Sequence, residues 1–120
     1  MSKFASNDVL DGSLIVVSGA TRLVALNGQP ANFAAATSGI LAEAVLTSGD
    51  FSLAAGDISG RKVTVAPKSG LPVIAAGTAD HIALIDASRL LYVTTCPAQP
   101  LVSGGTVSFA AWAIEVGAPA

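Results

Sequence analysis

A chain of 120 residues has room for one domain, which can bury about two thirds of the surface that its unfolded form would expose. Hydrophobic residues make up 52% of the chain and charged residues only 12%, about half their usual share in soluble domains. The net charge is −2, and the basic residues are scattered singly apart from Arg61-Lys62. This distribution provides no cationic patch for a phosphate backbone, so we expect no direct nucleic-acid partner.

The low share of charged residues indicates how the surface of the domain is used. A solitary domain needs charged side chains over much of its surface to stay soluble, whereas a surface of Ala, Ser, Thr and Gly is suited to contact with other protein. We therefore expect a homo-oligomer, a dimer or a trimer, that works inside an assembly. The one cysteine, Cys96, can form no internal disulfide and is interpreted as a small buried hydrophobe.

Two uncharged spans, residues 23–42 and 90–114, are long enough to cross a membrane. The first contains NGQPAN and the second contains CPAQP and SGG, which would break a spanning helix and leave backbone groups unpaired in lipid. The N-terminus has no apolar stretch directly behind its lysine and soon reaches acidic residues, which argues against a secretory signal. We expect no membrane partner.

The first predicted element is a short helix over residues 7–17, behind an N-terminal arm at residues 1–6. The segment SNDVLDGSLIVVSGA offers Ser6 or Asn7 as the N-cap, followed by acidic residues suited to the positive end of a helix dipole. The β-branched run LIVV would also suit a strand. We favour the helix because one of its faces is apolar, formed by Leu10, Leu14 and Val17.

Two extended segments follow, separated by a predicted loop. TRLVALN reads as a strand that ends at the turn dipeptide Asn27-Gly28. GQPANFAAATSG is interpreted as a loop, because Pro30 and Gly39 bracket too short a window for a stable helix. ILAEAVLT is expected to be extended, with alternating faces. One face is Ile40, Ala42, Ala44 and Leu46, and the other is Leu41, Glu43 and Val45.

In the rest of the chain, turn signals alternate with short apolar runs, as is typical of an all-β domain. The turn signals SGD, AAGD, SGRK, PKSG, AAGTAD, DASR, CPAQP and SGG separate the apolar runs FSLAA, RKVTVA, LPVIAA, HIALIDA, LLYVTT and TVSFAAWAIEV. In RKVTVA, Val63 and Val65 alternate with polar residues, as in a half-buried strand. The last run exceeds the common strand length, so we expect a bend or bulge near Ala110-Ala111.

These patterns predict a mainly β fold. We expect a single-domain antiparallel β-sandwich or small barrel, jelly-roll-like, with a short N-terminal helix. The domain spans residues 7–117, and a C-terminal tail follows at residues 118–120.

The segment DHIALIDASR holds the single histidine and raises the question of a hydrolytic site. Strand alternation places His81 and Asp86 on opposite faces, and Ser88 lies past the turn, so the spacing disfavours a local catalytic triad. We expect His81 to bond its neighbours or to face solvent, and we expect no enzyme. A small hydrolase in which His81 has remote partners stays open as an alternative.

Metal and sugar sites are also disfavoured. One histidine and one cysteine match no zinc spacing, and Asp50 and Asp57 lie seven residues apart, too far for one calcium loop. Trp112 is interpreted as a core anchor rather than a sugar-stacking platform, although a lectin-like module stays open. We expect no cofactor and no metal.

Six segments, taken together and in order, resemble short structural proteins of tailed bacteriophages. They are FASNDVLDG, TRLVALNGQP, GDFSLAAGDISGRKVTV, TADHIALID, LLYVTTC and VSGGTVSFAAWAIEV, and they cover nearly the whole chain. Proteins of this size in that group are often virion components, notably cement or decoration proteins that bind the outside of the capsid. The chain departs from that group where Gly12 and LIVV replace better helix formers.

The resemblance implies a virion protein on the exterior of the capsid, assembled in the host cytoplasm, that binds the major capsid protein and stabilises the shell. A tail or neck adaptor, or a receptor-binding module, is the alternative. We expect Lys3 and Phe4 of the arm and Phe33 of the predicted loop to contact the partner, because flexible apolar tips can become ordered on binding.

Overall fold

The computed structural model describes residues 5–117, in which two helices, a 3-10 turn and nine strands follow one another. The predicted arm residues Lys3 and Phe4 and the predicted tail at residues 118–120 lie outside this range. The elements are α1 (Asn7–Val17), β1 (Arg22–Leu26), α2 (Phe33–Ser38), β2 (Ala42–Val45), the 3-10 turn (Ser48–Asp50), β3 (Phe51–Ala55), β4 (Arg61–Val65), β5 (Lys68–Pro72), β6 (Gly77–Ile85), β7 (Leu90–Leu101), β8 (Thr106–Phe109) and β9 (Trp112–Val116).

The strands form three antiparallel sheets, with the orders β2-β1-β6-β7, β3-β4-β9 and β5-β8. The inner face of the four-stranded sheet packs on the β3-β4-β9 sheet at one end and on the two-stranded β5-β8 sheet at the other. The predicted mainly β, antiparallel sandwich with a short N-terminal helix is thus confirmed.

The two central strands, β1 and β6, are buried on both faces over residues 23–26 and 82–85. On the inner face, Leu23 and Leu84 join Val63 and Ile114 of the opposite sheet in the main hydrophobic core. On the outer face, the alternate residues form a second cluster beneath α2. Its buried members are Val24, Leu26, Ala36, Ala83 and Ile85.

Helix α1 has the predicted bounds, and Ser6 is its N-cap. The Ser6 hydroxyl accepts a hydrogen bond of 3.3 Å from the amide of Val9. The predicted apolar face of α1 is buried against β4, β7 and β9, and the Arg61 Nε donates to the Asp11 Oδ1 at 2.8 Å. The helix therefore bridges both layers of the sandwich, and this packing selects the helix over the strand that LIVV would also allow.

The predicted loop at GQPANFAAATSG is wrong in part, because α2 forms within it. The Asn32 side-chain oxygen accepts a hydrogen bond of 2.8 Å from the amide of Ala35 and so caps the helix. Ala36 is fully buried, and Phe33 packs against the outer cluster. A helix of six residues is too short to be stable alone, so contact with the sheet stabilises it.

Most of the predicted alternation in ILAEAVLT is confirmed. Ala42, Ala44 and Leu46 are buried, and Val45 is exposed. Ile40 and Leu41 lie on the faces opposite to those predicted. Leu41 joins the inner face, and Ile40 packs against the outer cluster. The reason is that β2 begins only at Ala42, so the alternation does not extend back to them.

Two strands run past the predicted turns. CPAQP was predicted as a turn, but β7 continues through Pro97 and Pro100 to Leu101, paired with the beginning of β6. Proline is tolerated there because β7 is an edge strand, which needs hydrogen bonds on one side only. The strand predicted at LPVIAA lies earlier, at Lys68–Pro72, and Val73 makes only an isolated bridge.

The predicted turns PKSG and AAGTAD are also wrong in part, because β5 begins at Lys68 and β6 at Gly77, where each pairs with another strand. Two other predictions for the C-terminal half are confirmed. Val63 and Val65 are fully buried, as expected of a half-buried strand. The last apolar run is interrupted at Ala110-Ala111, which separates β8 from β9. This interruption lets one continuous segment pair first with β5 and then with β4.

Candidate functional site

The only histidine contacts the carboxylate beside it. The His81 Nδ1 lies 2.8 Å from the Asp80 Oδ1, and the same oxygen accepts a hydrogen bond of 2.7 Å from the amide of Gly28. The pairing of β6 with β7 shifts register between Ala79 and His81, and this irregularity allows neighbouring side chains to meet. The hydrogen bond with His81, and then that from Gly28, lower the pKa of Asp80.

Cys96 lies on β7 and is half-buried rather than buried as predicted. Burial raises the pKa of its thiol, and the negative charge of Asp80 raises that pKa further. A nucleophilic cysteine needs the opposite shift, since the thiolate is the reactive form. Cys96 therefore keeps its proton more strongly than an ordinary thiol does.

Asp86 has a separate role in the turn between β6 and β7. Its Oδ1 accepts hydrogen bonds of 2.8 Å from the amide of Ser88 and 2.6 Å from that of Arg89, whose Nε donates to Oδ2 at 2.8 Å. Five residues of extended chain separate it from His81, a span of about 16 Å. The structure thus does not bring His81, Asp86 and Ser88 into one site.

The two aspartates considered as calcium ligands each form an ion pair with a lysine. Asp50 accepts a hydrogen bond of 2.8 Å from the amide of Thr47 and lies 2.9 Å from the Lys68 Nζ, and both interactions lower its pKa. Asp57 lies 2.6 Å from the Lys62 Nζ. Within residues 5–117, no group of three or more His, Cys, Asp or Glu side chains could hold a metal ion.

Basic side chains are neutralised within the chain. In the part of the chain that the structure describes, each Lys or Arg lies within 2.9 Å of a carboxylate oxygen, so none is left without a counter-charge. The pairs are Arg22-Glu43, Arg61-Asp11, Lys62-Asp57, Lys68-Asp50 and Arg89-Asp86.

A cleft of about 480 Å³ separates β7 from the segment that contains β8 and β9. Residues 94–97 form part of one wall and residues 107–113 the other, and no charged side chain lines it. Helix α1 bridges β7 and β9. Along the cleft, the two layers of the sandwich do not pack against each other.

Trp112 lies in the wall of this cleft and is only half-buried, so the predicted core anchor is correct for part of its surface. Its ring centroid lies 6.0 Å from that of Tyr92 on β7. The indole Nε1 is buried and has no hydrogen-bond partner. A buried donor without an acceptor costs about 1–3 kcal/mol, so this atom marks a place where an acceptor would be stabilising.

Of the predicted contact residues, the structure describes only Phe33. Its side chain is half-buried against the outer cluster, and it is not part of the cleft wall. Sequence reasoning interpreted Cys96 and Trp112 as core residues and missed the cleft that both line. The expected break at Ala110-Ala111 was the one signal of it.

The exposed surface is rich in large apolar side chains. Three lie on α1, and the others lie on strands and turns around the molecule. They are Val9, Ile15, Val16, Val45, Leu53, Ile58, Ile74 and Val102. In the described part of the chain, neither helix has the length and hydropathy that a membrane crossing requires.

Comparisons of the chain with protein-family models, with curated proteins and with solved structures found no match.

The electrostatic effect of Asp80 on Cys96 predicts a measurable change in thiol reactivity. Asp80→Asn removes a negative charge beside the thiol, so the pKa of Cys96 should fall toward its ordinary value of 9.0. At pH 8 the reaction with a neutral disulfide reagent should therefore accelerate, because more of the thiol is ionised. Asp86→Asn, which removes the same charge at the other end of β6, should leave the rate unchanged. Equal rates in the two variants would contradict the electrostatic coupling.

The stability of the fold in acid should depend on the protonation of three aspartates whose pKa is lowered in the fold. Asp50, Asp80 and Asp86 all titrate below their ordinary value of 3.8, so their contribution to stability is present above that pH and is lost as the pH falls below it. The thermal unfolding midpoint should fall steeply between about pH 4 and pH 2. In a variant with all three replaced by Asn, the thermal midpoint should fall less steeply over this range. If the midpoint of the unchanged protein fell most steeply above about pH 5, the assignment to these aspartates would be contradicted.

Proposed function

We propose that the protein is a structural subunit of a tailed-bacteriophage virion that binds the major capsid protein on the exterior of the shell and stabilises it. The phage assignment depends on the resemblance of nearly the whole sequence to capsid cement and decoration proteins. The role in an assembly is supported independently by the surface of the molecule. The proposal requires no catalytic group and no cofactor.

The observation that carries the proposal is an exposed apolar surface combined with internally paired charges. Ile58 is 93% exposed and Val45 is 72% exposed, while every described basic side chain is already matched by a carboxylate. Such a surface loses little hydration free energy when it is covered by protein. It therefore suits permanent contact with neighbouring subunits.

Strand β3 supports assembly as a homo-oligomer. It is an edge strand, and residues 52–55 are exposed, so side chains on both of its faces meet solvent. Its sequence, FSLAA, holds no charge and no proline, the usual protection of an exposed edge. Pairing with a second copy, in a dimer or trimer, would satisfy its free backbone groups.

Binding to shells tests the proposal directly. The purified chain is added to empty shells assembled from the major capsid protein of the phage that encodes it. We expect saturable binding in proportion to the number of coat subunits, and a higher temperature of shell disruption. No binding, or no gain in shell stability, would reject the cement function. Localisation of the protein to the tail or neck of intact particles would reject it in favour of an adaptor.

A further inference from the structure

We propose that the cleft between β7 and the β8-β9 segment receives one extended, uncharged segment of a partner protein, which pairs with the edge of β7 as an added strand. The inference concerns the cleft alone and stands whether or not that partner is a coat subunit.

The cleft is lined by the edge strands β7 and β9 and also by Ala79 and Ile82 of β6, which is paired on both sides. Neighbouring side chains of a strand point to opposite faces, so the consecutive strand residues 107–109 and 112–113 bring backbone into the wall together with side chains. The same holds for residues 94–97 on the other wall. Both β7 and β9 are the last strands of their sheets, so each has unpaired backbone groups along one side. A cleft between two such edges fits an extended polypeptide.

The lining determines the chemistry of the occupant. The walls combine apolar side chains, such as Ile82, Leu101 and Phe109, with small or hydroxylated residues, and no charged side chain is among them. A charged side chain on the incoming segment would lose its hydration and find no counter-charge. The segment therefore carries uncharged, mostly apolar side chains.

The unpaired indole favours a peptide over an apolar small molecule. The Trp112 Nε1 is buried without a partner, and a backbone carbonyl of an added strand would supply the acceptor once the indole, which lines the cleft, turns its N–H toward it. A purely apolar ligand would leave this donor unsatisfied.

The length of the pairing is limited by proline. Pro97 and Pro100 have no N–H group to donate, so regular pairing along β7 is confined to the stretch before Pro97. The Tyr92 and Trp112 rings bridge the two walls beside that stretch. The added strand is therefore short, on the order of four residues or about 13 Å.

A peptide array tests this inference on the full chain. The probes are capped hexapeptides of Ala, Val, Ile, Thr, Ser and Gly, with two matched sets in which a central residue is Lys or Asp. We expect binding within the uncharged set, and about tenfold weaker binding of the charged sets. Because the chain has one Cys and one Trp and both line the cleft, the best peptide should also slow the modification of Cys96 and shift the emission of Trp112.

Matched variants and a modified peptide complete the test. Ala111→Phe fills the cleft and should abolish binding, whereas Ala87→Phe, in the exposed turn between β6 and β7, should not. Ala113→Phe is a second filling variant if Ala111→Phe disturbs the bend. Backbone N-methylation of the peptide should weaken binding about tenfold, because it removes the strand hydrogen bonds. Absence of any peptide that distinguishes Ala87→Phe from Ala111→Phe, or equal binding of N-methylated peptides, would overturn the proposal.

Discussion

Leu84→Ala should lower the free energy of unfolding by about 2–5 kcal/mol and the thermal midpoint by roughly 10 °C or more. Leu84 lies in β6, is fully buried, and pairs with Leu23 of β1 and Tyr92 of β7 at the centre of the main core. Alanine would leave a cavity that close-packed neighbours on both layers can fill only in part. Urea and thermal unfolding followed by circular dichroism measure the loss.

Leu53→Ala is the matched control for this core substitution. Leu53 lies on the edge strand β3 and is 40% exposed, so the same chemical change there should cost only about 0.5 kcal/mol. Similar losses in the two variants would mean that β6 does not lie at the centre of the sandwich.

Gly56→Ala should destabilise the fold by about 1–3 kcal/mol, because a side chain at this position overlaps backbone. Gly56 lies in the β3-β4 turn, where its amide donates to the carbonyl oxygen of Gly60 at 2.9 Å. A Cβ atom there would overlap the carbonyl of Ser59 and lie 3.0 Å from the carboxyl carbon of Glu115. The turn would have to open, and the hydrogen bond from Asp57 to Glu115 would be strained.

Gly12→Ala provides the opposite control. Gly12 lies inside α1, and a Cβ atom there would meet no other atom within 4 Å. The substitution should therefore raise stability by about 0.5–1 kcal/mol, the usual gain of alanine over glycine in a helix. Chemical unfolding of both variants measures the two changes, and a loss at Gly12 or a gain at Gly56 would contradict the local geometry.

The polar groups near β6 and the cleft differ in how far the fold already satisfies them. The histidine and its neighbouring carboxylate hold the turn after β1 through Gly28, while the thiol nearby keeps its proton more strongly than usual. The unpaired donor of Trp112, by contrast, is suited to the backbone of another chain.

Local spacing predicted several elements correctly. The helical face of Leu10, Leu14 and Val17 predicted α1 with its observed bounds. The alternation around Val63 and Val65 predicted a half-buried strand, and the length of the last apolar run predicted its interruption. Each of these features depends on the period of side chains along one segment, which can be read without knowing what lies opposite.

Features that depend on distant residues were predicted less well. Helix α2 is stable only where it covers the outer face of the central sheet, and the proline-containing half of β7 is a strand only because β6 pairs with it on one side. The contact of His81 with Asp80 accompanies a register shift that strand alternation does not predict. Each outcome was decided by a partner far away in sequence or by the pairing of two strands.

By itself, the sequence determined the sparse surface charge, the antiparallel β character and the N-terminal helix, because composition and local periodicity are properties of single segments. Only the tertiary structure decided that Cys96 and Trp112 line one cleft and that the two layers of the sandwich stay unjoined there. The physical reason is that a strand edge is free or paired according to which other strands reach it, and that choice is made by the packing of the whole chain.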